Sequence, residues 1–83
     1  MSQVRDVVDV IARALSDEPH EVKVVETEQH GSILVELFVS PVDLGRVIGR
    51  QGRTAAALRT LVAATAERTG VRATLEIRET LPA

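Results

Sequence analysis

A short run in the second half of the chain combines glycines with arginines, the residue types that hold phosphate. Gly49 and Gly52 lie three residues apart, with Arg50 between them and Arg53 directly after. Glycine has no side chain, so a polyanion can approach the backbone closely at these two positions. A helix beginning near Arg53 would also direct its N–H groups and the positive end of its dipole at the same place. The run 45–54 therefore predicts a phosphate-binding loop.

The spacing of this loop disfavours nucleotide hydrolysis. A P-loop requires Gly, four residues, Gly, Lys and then Ser or Thr, directly after a strand. Here the first glycine of that pattern would fall on Val47, Arg53 stands in place of lysine, and a helix is predicted before the loop. A dinucleotide-binding fingerprint also fails, because G-x-G-x-x-G is absent and no parallel βαβ unit is predicted.

Other residue types that carry chemistry are scarce. The chain has no cysteine, which excludes disulfides, thiolate nucleophiles and cysteine-rich zinc sites. His20 and His30 lie at predicted turns, ten residues apart, without a nucleophile or a paired metal-ligand pattern nearby, and are interpreted as surface residues. We therefore predict no catalytic residue, no metal ion and no cofactor, and a protein that is not an enzyme.

The charge distribution supports a local anion site on an acidic body. The formal net charge is −2, but residues 1–39 carry three basic and eight acidic side chains, net −5, whereas residues 40–83 carry seven arginines and four acidic side chains, net +3. We expect nucleic-acid affinity to be modest and to depend on a few placed contacts. Phe38 is the one aromatic residue of the chain, so base contacts should be aliphatic and polar instead of stacked.

The length and the ends of the sequence indicate a single domain over residues 1–83, with a short tail at 80–83. A chain of 83 residues can build one hydrophobic core but not two. The N-terminus lacks the features of a signal peptide, and no apolar run approaches the ~20 residues of a membrane span. These features predict a cytoplasmic protein without a membrane partner.

The first half of the chain predicts a helix followed by a β-hairpin. Apolar residues recur at helical spacing over residues 3–16, and Asp17-Glu18-Pro19 ends this helix. β-Branched residues predict a strand over 21–28, and strict alternation predicts a second strand over 32–39. The turn between the two strands is Gln29-His30-Gly31.

The second half predicts two helices and a final strand. Ser40 and Pro41 begin a short helix that Gly49 ends, a longer helix follows over 53–69, and Gly70 caps it before a strand over 71–78. The expected fold is α+β, a three-stranded sheet with three helices on one face, in the order α-β-β-α-α-β. The inner face of the long helix is predicted to carry Leu58, Leu61, Val62 and Thr65.

This arrangement resembles a known RNA-binding family. A helix, then Ile48-Gly49-Arg50-Gln51-Gly52, then a helix is similar to the Val-Ile-Gly-x-x-Gly signature of KH domains. With a helix and a hairpin before the loop and one strand after it, the order looks like the type II arrangement, and the resemblance covers nearly the whole chain. By size and by the run 45–53, the sequence resembles the bacterial KhpA-type stand-alone KH proteins.

The resemblance implies a non-enzymatic protein that holds single-stranded RNA and acts as an RNA chaperone, paired with itself and with a larger KH-containing partner. Backbone N–H groups of the glycine loop, residues 49–52, would contact the sugar-phosphate chain. Aliphatic residues would form the base of a groove about four nucleotides long, and arginines would lie on either side of it. The short hairpin turn suggests weak sequence preference. The RNA-binding residues implied are Arg46, Val47, Ile48, Gly49, Arg50, Gln51, Gly52 and Arg53.

Several alternatives remain open at this point. Gly49 and Gly52 can be read as turn residues between two helices, Ile48 as a core residue and Arg46 as a solvated charge. A different function is also compatible with the sequence, that of a protein-interaction adaptor in cell-envelope or division control whose RNA binding is vestigial. Two surfaces would serve such a partner, the acidic N-terminal half and a face of small residues that could also serve self-association. The small residues are Ala56, Thr60, Ala63 and Ala64.

Overall fold

Three helices pack on one face of a three-stranded sheet in the computed structural model, which describes residues 2–80. The predicted α+β class and element order are confirmed. Single 3-10 turns lie at Pro19–Glu21 and Arg50–Gly52. The main elements are α1 (Gln3–Leu15), β1 (Lys23–Gln29), β2 (Ser32–Val39), α2 (Pro41–Ile48), α3 (Arg53–Glu67) and β3 (Arg72–Glu79). Of the predicted tail, positions 81–83 lie outside the described residues.

The sheet has the order β1-β2-β3, with β2 in the centre. Strands β1 and β2 are antiparallel and are joined by His30 and Gly31, whose φ angles of 49° and 80° are those that a two-residue hairpin turn requires. Strands β2 and β3 are parallel, with Val35 opposite Leu75. Because parallel strands need a crossover connection, α2 and α3 both lie between β2 and β3 in the chain. The crossover thus contains the glycine loop.

The core lies between the sheet and the helices. Alternate residues of β2 point inward and are buried, as the alternation predicted. They meet apolar stripes on α1 and α3 at the spacing of one helix face. The main contributors are Ile33, Val35, Leu37 and Val39 from β2, Val4, Val8 and Ala12 from α1, and Leu58, Val62 and Ala66 from α3. None of the three α-helices within residues 2–80 combines the length and the apolar composition that a bilayer crossing needs.

One predicted core residue is on the surface. The apolar spacing predicts Leu61 on the inner face of α3, but this residue is 45% exposed. The buried stripe of α3 runs through Leu58, Val62 and Ala66, and Leu61 lies about 100° around the helix from Val62. The small Ala66 enters the core instead because α1 packs directly against α3. The predicted inner face is therefore wrong at Leu61.

Candidate nucleic-acid interface

The glycine loop reverses the chain between α2 and α3 through left-handed backbone. Gly49 has φ 77° and ψ 169°, Gln51 has φ 56° and ψ 25°, and Gly52 has φ 71° and ψ 15°. The N–H of Gly49 donates to the carbonyl of Gly45 at 2.8 Å, and the N–H of Gly52 donates to the carbonyl of Gly49 at 3.0 Å. The loop is thus a defined turn that holds its own ends together.

The two glycines are needed for different reasons. A Cβ at Gly49 would lie 2.7 Å from Thr54 Cβ, which is too close for two carbon atoms, and the positive φ adds strain. A Cβ at Gly52 would point into open space, so only its φ favours glycine. Packing against the first turn of α3 therefore explains Gly49 without a ligand, and the turn interpretation accounts for this residue in part.

The N-terminus of α3 has no side-chain cap, in contrast to the other two α-helices of residues 2–80. Ser2 accepts a hydrogen bond from the N–H of Arg5 in α1, and Ser40 accepts one from the N–H of Val42 in α2. The N-cap of α3 is Gly52, which has no side chain to accept such a bond. The N–H of Arg53 donates to the carbonyl of Arg50, and no side chain caps the rest of the first turn of α3, which leaves the positive end of the helix dipole open to an anion.

The side chains of the loop face solvent. Arg50, Gln51 and Arg53 are all exposed, and Arg53 Nη2 donates to Gln51 Oε1 at 3.0 Å. This contact draws the polar ends of two side chains together on the outer surface of the loop. Arg46, in the last turn of α2, is also exposed and forms an ion pair with Asp17. The predicted arginines thus share one end of the α2–α3 unit.

The two aliphatic residues before the loop differ in burial. Val47 is fully buried in the core, whereas Ile48 is 38% exposed. Ile48 therefore has apolar surface to offer a ligand, and Val47 supports the last turn of α2 from beneath. The two histidines lie on the surface, as predicted, since both His20 and His30 are exposed.

A buried carboxylate lies in the first turn of α2, at the opposite end of that helix from the glycine loop, and the sequence pattern did not predict its role. Asp43 of α2 is fully buried, and its two oxygens accept hydrogen bonds from the backbone N–H groups of Asp17 and Glu18, each at 2.9 Å. The pKa of Asp43 is lowered, mainly by the bond from Asp17 and further by the bond from Glu18 and by Arg46, although burial opposes this shift. From the sequence alone, Asp43 is an acidic residue in the first turn of a helix, where the helix dipole favours negative charge.

Comparison with known proteins identifies the arrangement. The sequence model of the family described as KhpA/KhpB, KH domain matches residues 5–77. Three similar curated relatives are each named RNA-binding protein KhpA. The protein of Aquifex aeolicus is 44% identical over 79 residues, which are 95% of this chain and 100% of the relative. That of Caldanaerobacter subterraneus subsp. tengcongensis is 50% identical over 72 residues (87% and 96%), and that of Clostridium perfringens 45% over 74 residues (89% and 99%).

A solved structure shares the fold. The crystal structure of an Aquifex aeolicus Era variant bound to GDP and aluminium fluoride superposes with a TM-score of 0.67 at 21% sequence identity. The match covers 95% of this chain and 31% of the Era chain, so this chain corresponds to less than a third of that structure. The resemblance to KH proteins that the sequence suggested is confirmed by the family match and by the curated relatives.

Proposed function

This chain belongs to the KhpA/KhpB KH-domain family, and from that premise we propose that it binds single-stranded RNA at the glycine loop, residues 49–52. The relatives named RNA-binding protein KhpA support RNA as the ligand. The observation that carries the site is the exposed loop itself, in which Arg50 and Gln51 stand beside the uncapped N-terminus of α3.

The hydrogen bonds within the loop suggest which of its groups would contact RNA. The N–H groups of Gly49 and Gly52 already donate inside the turn, so Arg50 and Gln51 are the loop positions from which backbone N–H groups would reach phosphate. Arg46, Arg50 and Arg53 would add charge-assisted hydrogen bonds to phosphate oxygens. Ile48 would contact the sugar or the base through its exposed apolar surface.

The direct test is fluorescence anisotropy with a short labelled single-stranded RNA. The double variant Arg50→Asp/Gln51→Asp keeps both glycines and places negative charge where phosphate would bind. We expect it to weaken RNA binding by about tenfold or more, the scale set by the loss of one charged hydrogen bond.

A matched control is available at the other end of α3. Gln3→Asp/Arg68→Asp makes the same two types of substitution at exposed positions, Arg68 at the far end of a helix about 22 Å long and Gln3 in a depression shared with Thr65 and Thr69. We expect this control to keep most of the affinity. Equal binding by the two folded double variants would show that the glycine loop has only an architectural role.

We also propose that the protein acts as a homodimer in the cytoplasm, through the face of α3 that contains Ala56, Thr60, Ala63 and Ala64. All four residues are exposed, and the exposed Leu61 adds apolar area beside them. Two RNA-binding loops on one dimer would raise avidity and hold two RNA segments together, which is a physical route to RNA chaperone activity. Light scattering should give twice the 9.0 kDa chain mass, and Leu61→Asp should return the monomer.

The adaptor function remains a second candidate because α1 exposes an apolar patch. Val10 is 65% exposed and lines a shallow depression with Val7 and Ile11. Such a patch suits a protein partner, including a larger KH-containing protein, better than RNA. The two functions differ in one observation: RNA that copurifies with the protein and is removed by nuclease supports the first, and its absence together with no binding in the anisotropy assay supports the second.

A further inference from the structure

Asp17, on the connection between α1 and β1, forms an ion pair with Arg46, one of the arginines proposed to bind RNA. Asp17 Oδ2 lies 2.9 Å from Arg46 Nη2, and the two side chains are 63% and 57% exposed. The pair therefore stands in solvent, where a phosphate can reach the guanidinium. Carboxylate and phosphate groups present similar oxygen pairs to an arginine, so the two compete for the same N–H groups.

Backbone hydrogen bonds hold Asp17 in this position and leave its side chain free to pair with Arg46. Its backbone N–H and that of Glu18 donate to the buried carboxylate of Asp43, each at 2.9 Å. Asp43 lies on α2 three residues before Arg46, so the same helix carries the arginine and the anchor of its partner. The ion pair is thereby preformed, since the backbone that carries Asp17 is fixed relative to α2.

We infer that Asp17 is an intramolecular competitor of RNA phosphate at Arg46, so that RNA binding requires Arg46 to exchange a carboxylate for a phosphate. The inference rests on the proposed function of the loop. Asp17 would then help the protein select RNA over other polyanions. A polyanion that is held weakly gains little affinity from Arg46, because the carboxylate stays in place. RNA bound at the loop presents a phosphate at a fixed position and displaces the carboxylate. One acidic residue of the first half of the chain thus limits the affinity of Arg46 for phosphate.

The test compares two single substitutions that each remove one exposed acidic partner of an arginine. Asp17→Asn disrupts the pair with Arg46, and Asp9→Asn disrupts the pair of Asp9 with Arg13 on α1, whose atoms lie 3.0 Å apart. The substitution at position 17 leaves the backbone bond to Asp43 in place, and circular dichroism checks that both variants are folded. Anisotropy with the same labelled single-stranded RNA then measures affinity over a range of salt concentrations.

We expect Asp17→Asn to tighten RNA binding about two- to fivefold more than Asp9→Asn, as befits release from an exposed ion pair. The logarithmic salt slope of Asp17→Asn should equal that of the native chain, because Arg46 contacts the same phosphate in both complexes once the carboxylate is displaced. In an Arg46→Gln background the advantage of Asp17→Asn should disappear.

The outcomes separate this inference from the proposed function. If the native chain binds RNA but Asp17→Asn and Asp9→Asn have equal affinities, the competitor role is wrong and the loop function stands. The same conclusion follows if the gain persists in the Arg46→Gln background. If neither the native chain nor Asp17→Asn binds RNA, the proposed function and the competitor role are both wrong.

Discussion

The two ends of α2 treat their polar groups in opposite ways. At its beginning, Ser40 caps the helix and Asp43 accepts two backbone hydrogen bonds, and both residues are buried. At its end, Gly49 leads into an exposed loop, and the N-cap of the next helix is Gly52, which has no side chain to cap it. Where the chain satisfies its own backbone donors, the residues serve stability; where it leaves donors at a surface with positive charge, they suit an anionic ligand.

The largest effect on stability should come from Gly49, which ends α2 and begins the exposed loop. Gly49→Ala places a Cβ against Thr54 in addition to the strain of a positive φ, whereas Gly52→Ala adds only the strain. We expect the free energy of unfolding to fall by about 2–4 kcal/mol in Gly49→Ala and by about 1–2 kcal/mol in Gly52→Ala. Thermal unfolding by circular dichroism measures both, and a Tm for Gly49→Ala equal to that of Gly52→Ala would show that α3 yields to the new methyl group.

The buried end of α2 should show a pH signature. Because the folded pKa of Asp43 is lowered, its contribution to stability is fully present above the ordinary aspartate pKa near 4 and is lost as the pH falls through the lower, folded value. Asp43→Asn should lower the Tm at neutral pH. The Tm of this variant should also change less between neutral and acid pH than that of the native chain. Melting curves of both chains between neutral and acid pH measure the difference, which should shrink as the pH falls. A difference that does not change with pH would contradict the role of the ionised carboxylate.

The cap of α2 should matter for stability and not for RNA. Ser40→Ala removes the acceptor of the Val42 N–H bond and should destabilise the fold by about 1 kcal/mol, or roughly 4–8 °C in Tm for a domain of this size. RNA affinity of the folded variant should be unchanged in the anisotropy assay. A parallel loss of RNA binding would mean that the two ends of α2 are coupled.

The smallest expected effect belongs to a single arginine beside the loop. Arg53→Gln should leave the Tm nearly unchanged and weaken RNA binding by a few fold, while the logarithmic salt slope falls by about 0.7 for one lost phosphate contact. Arg68→Gln, at the opposite end of α3, is the matched control and should alter neither quantity appreciably. Identical salt slopes for the two variants would show that Arg53 does not contact RNA.

Much of the fold was accessible from local patterns. Alternation in β2 gave the correct buried residues, and Gly70 ends α3 with the N–H of Val71 bonded to the carbonyl of Ala66, as a glycine C-cap does. Element ends moved by one or two residues; the first part of the predicted strand 21–28 is a 3-10 turn that begins at Pro19. The misplacement of Leu61 shows the limit of periodicity, since several apolar residues of α3 fit more than one helix face.

The order of the elements, the glycine loop between two helices and the family are all predictable from sequence, because turn residues and apolar periodicity act over a few neighbouring positions. Contacts between groups far apart in the chain are evident only in the folded structure. Asp43 accepts a hydrogen bond from the backbone N–H of Asp17, 26 residues earlier, and Arg46 pairs with the side chain of that same Asp17. Such contacts depend on how helices and strands pack in three dimensions, and no local preference encodes them.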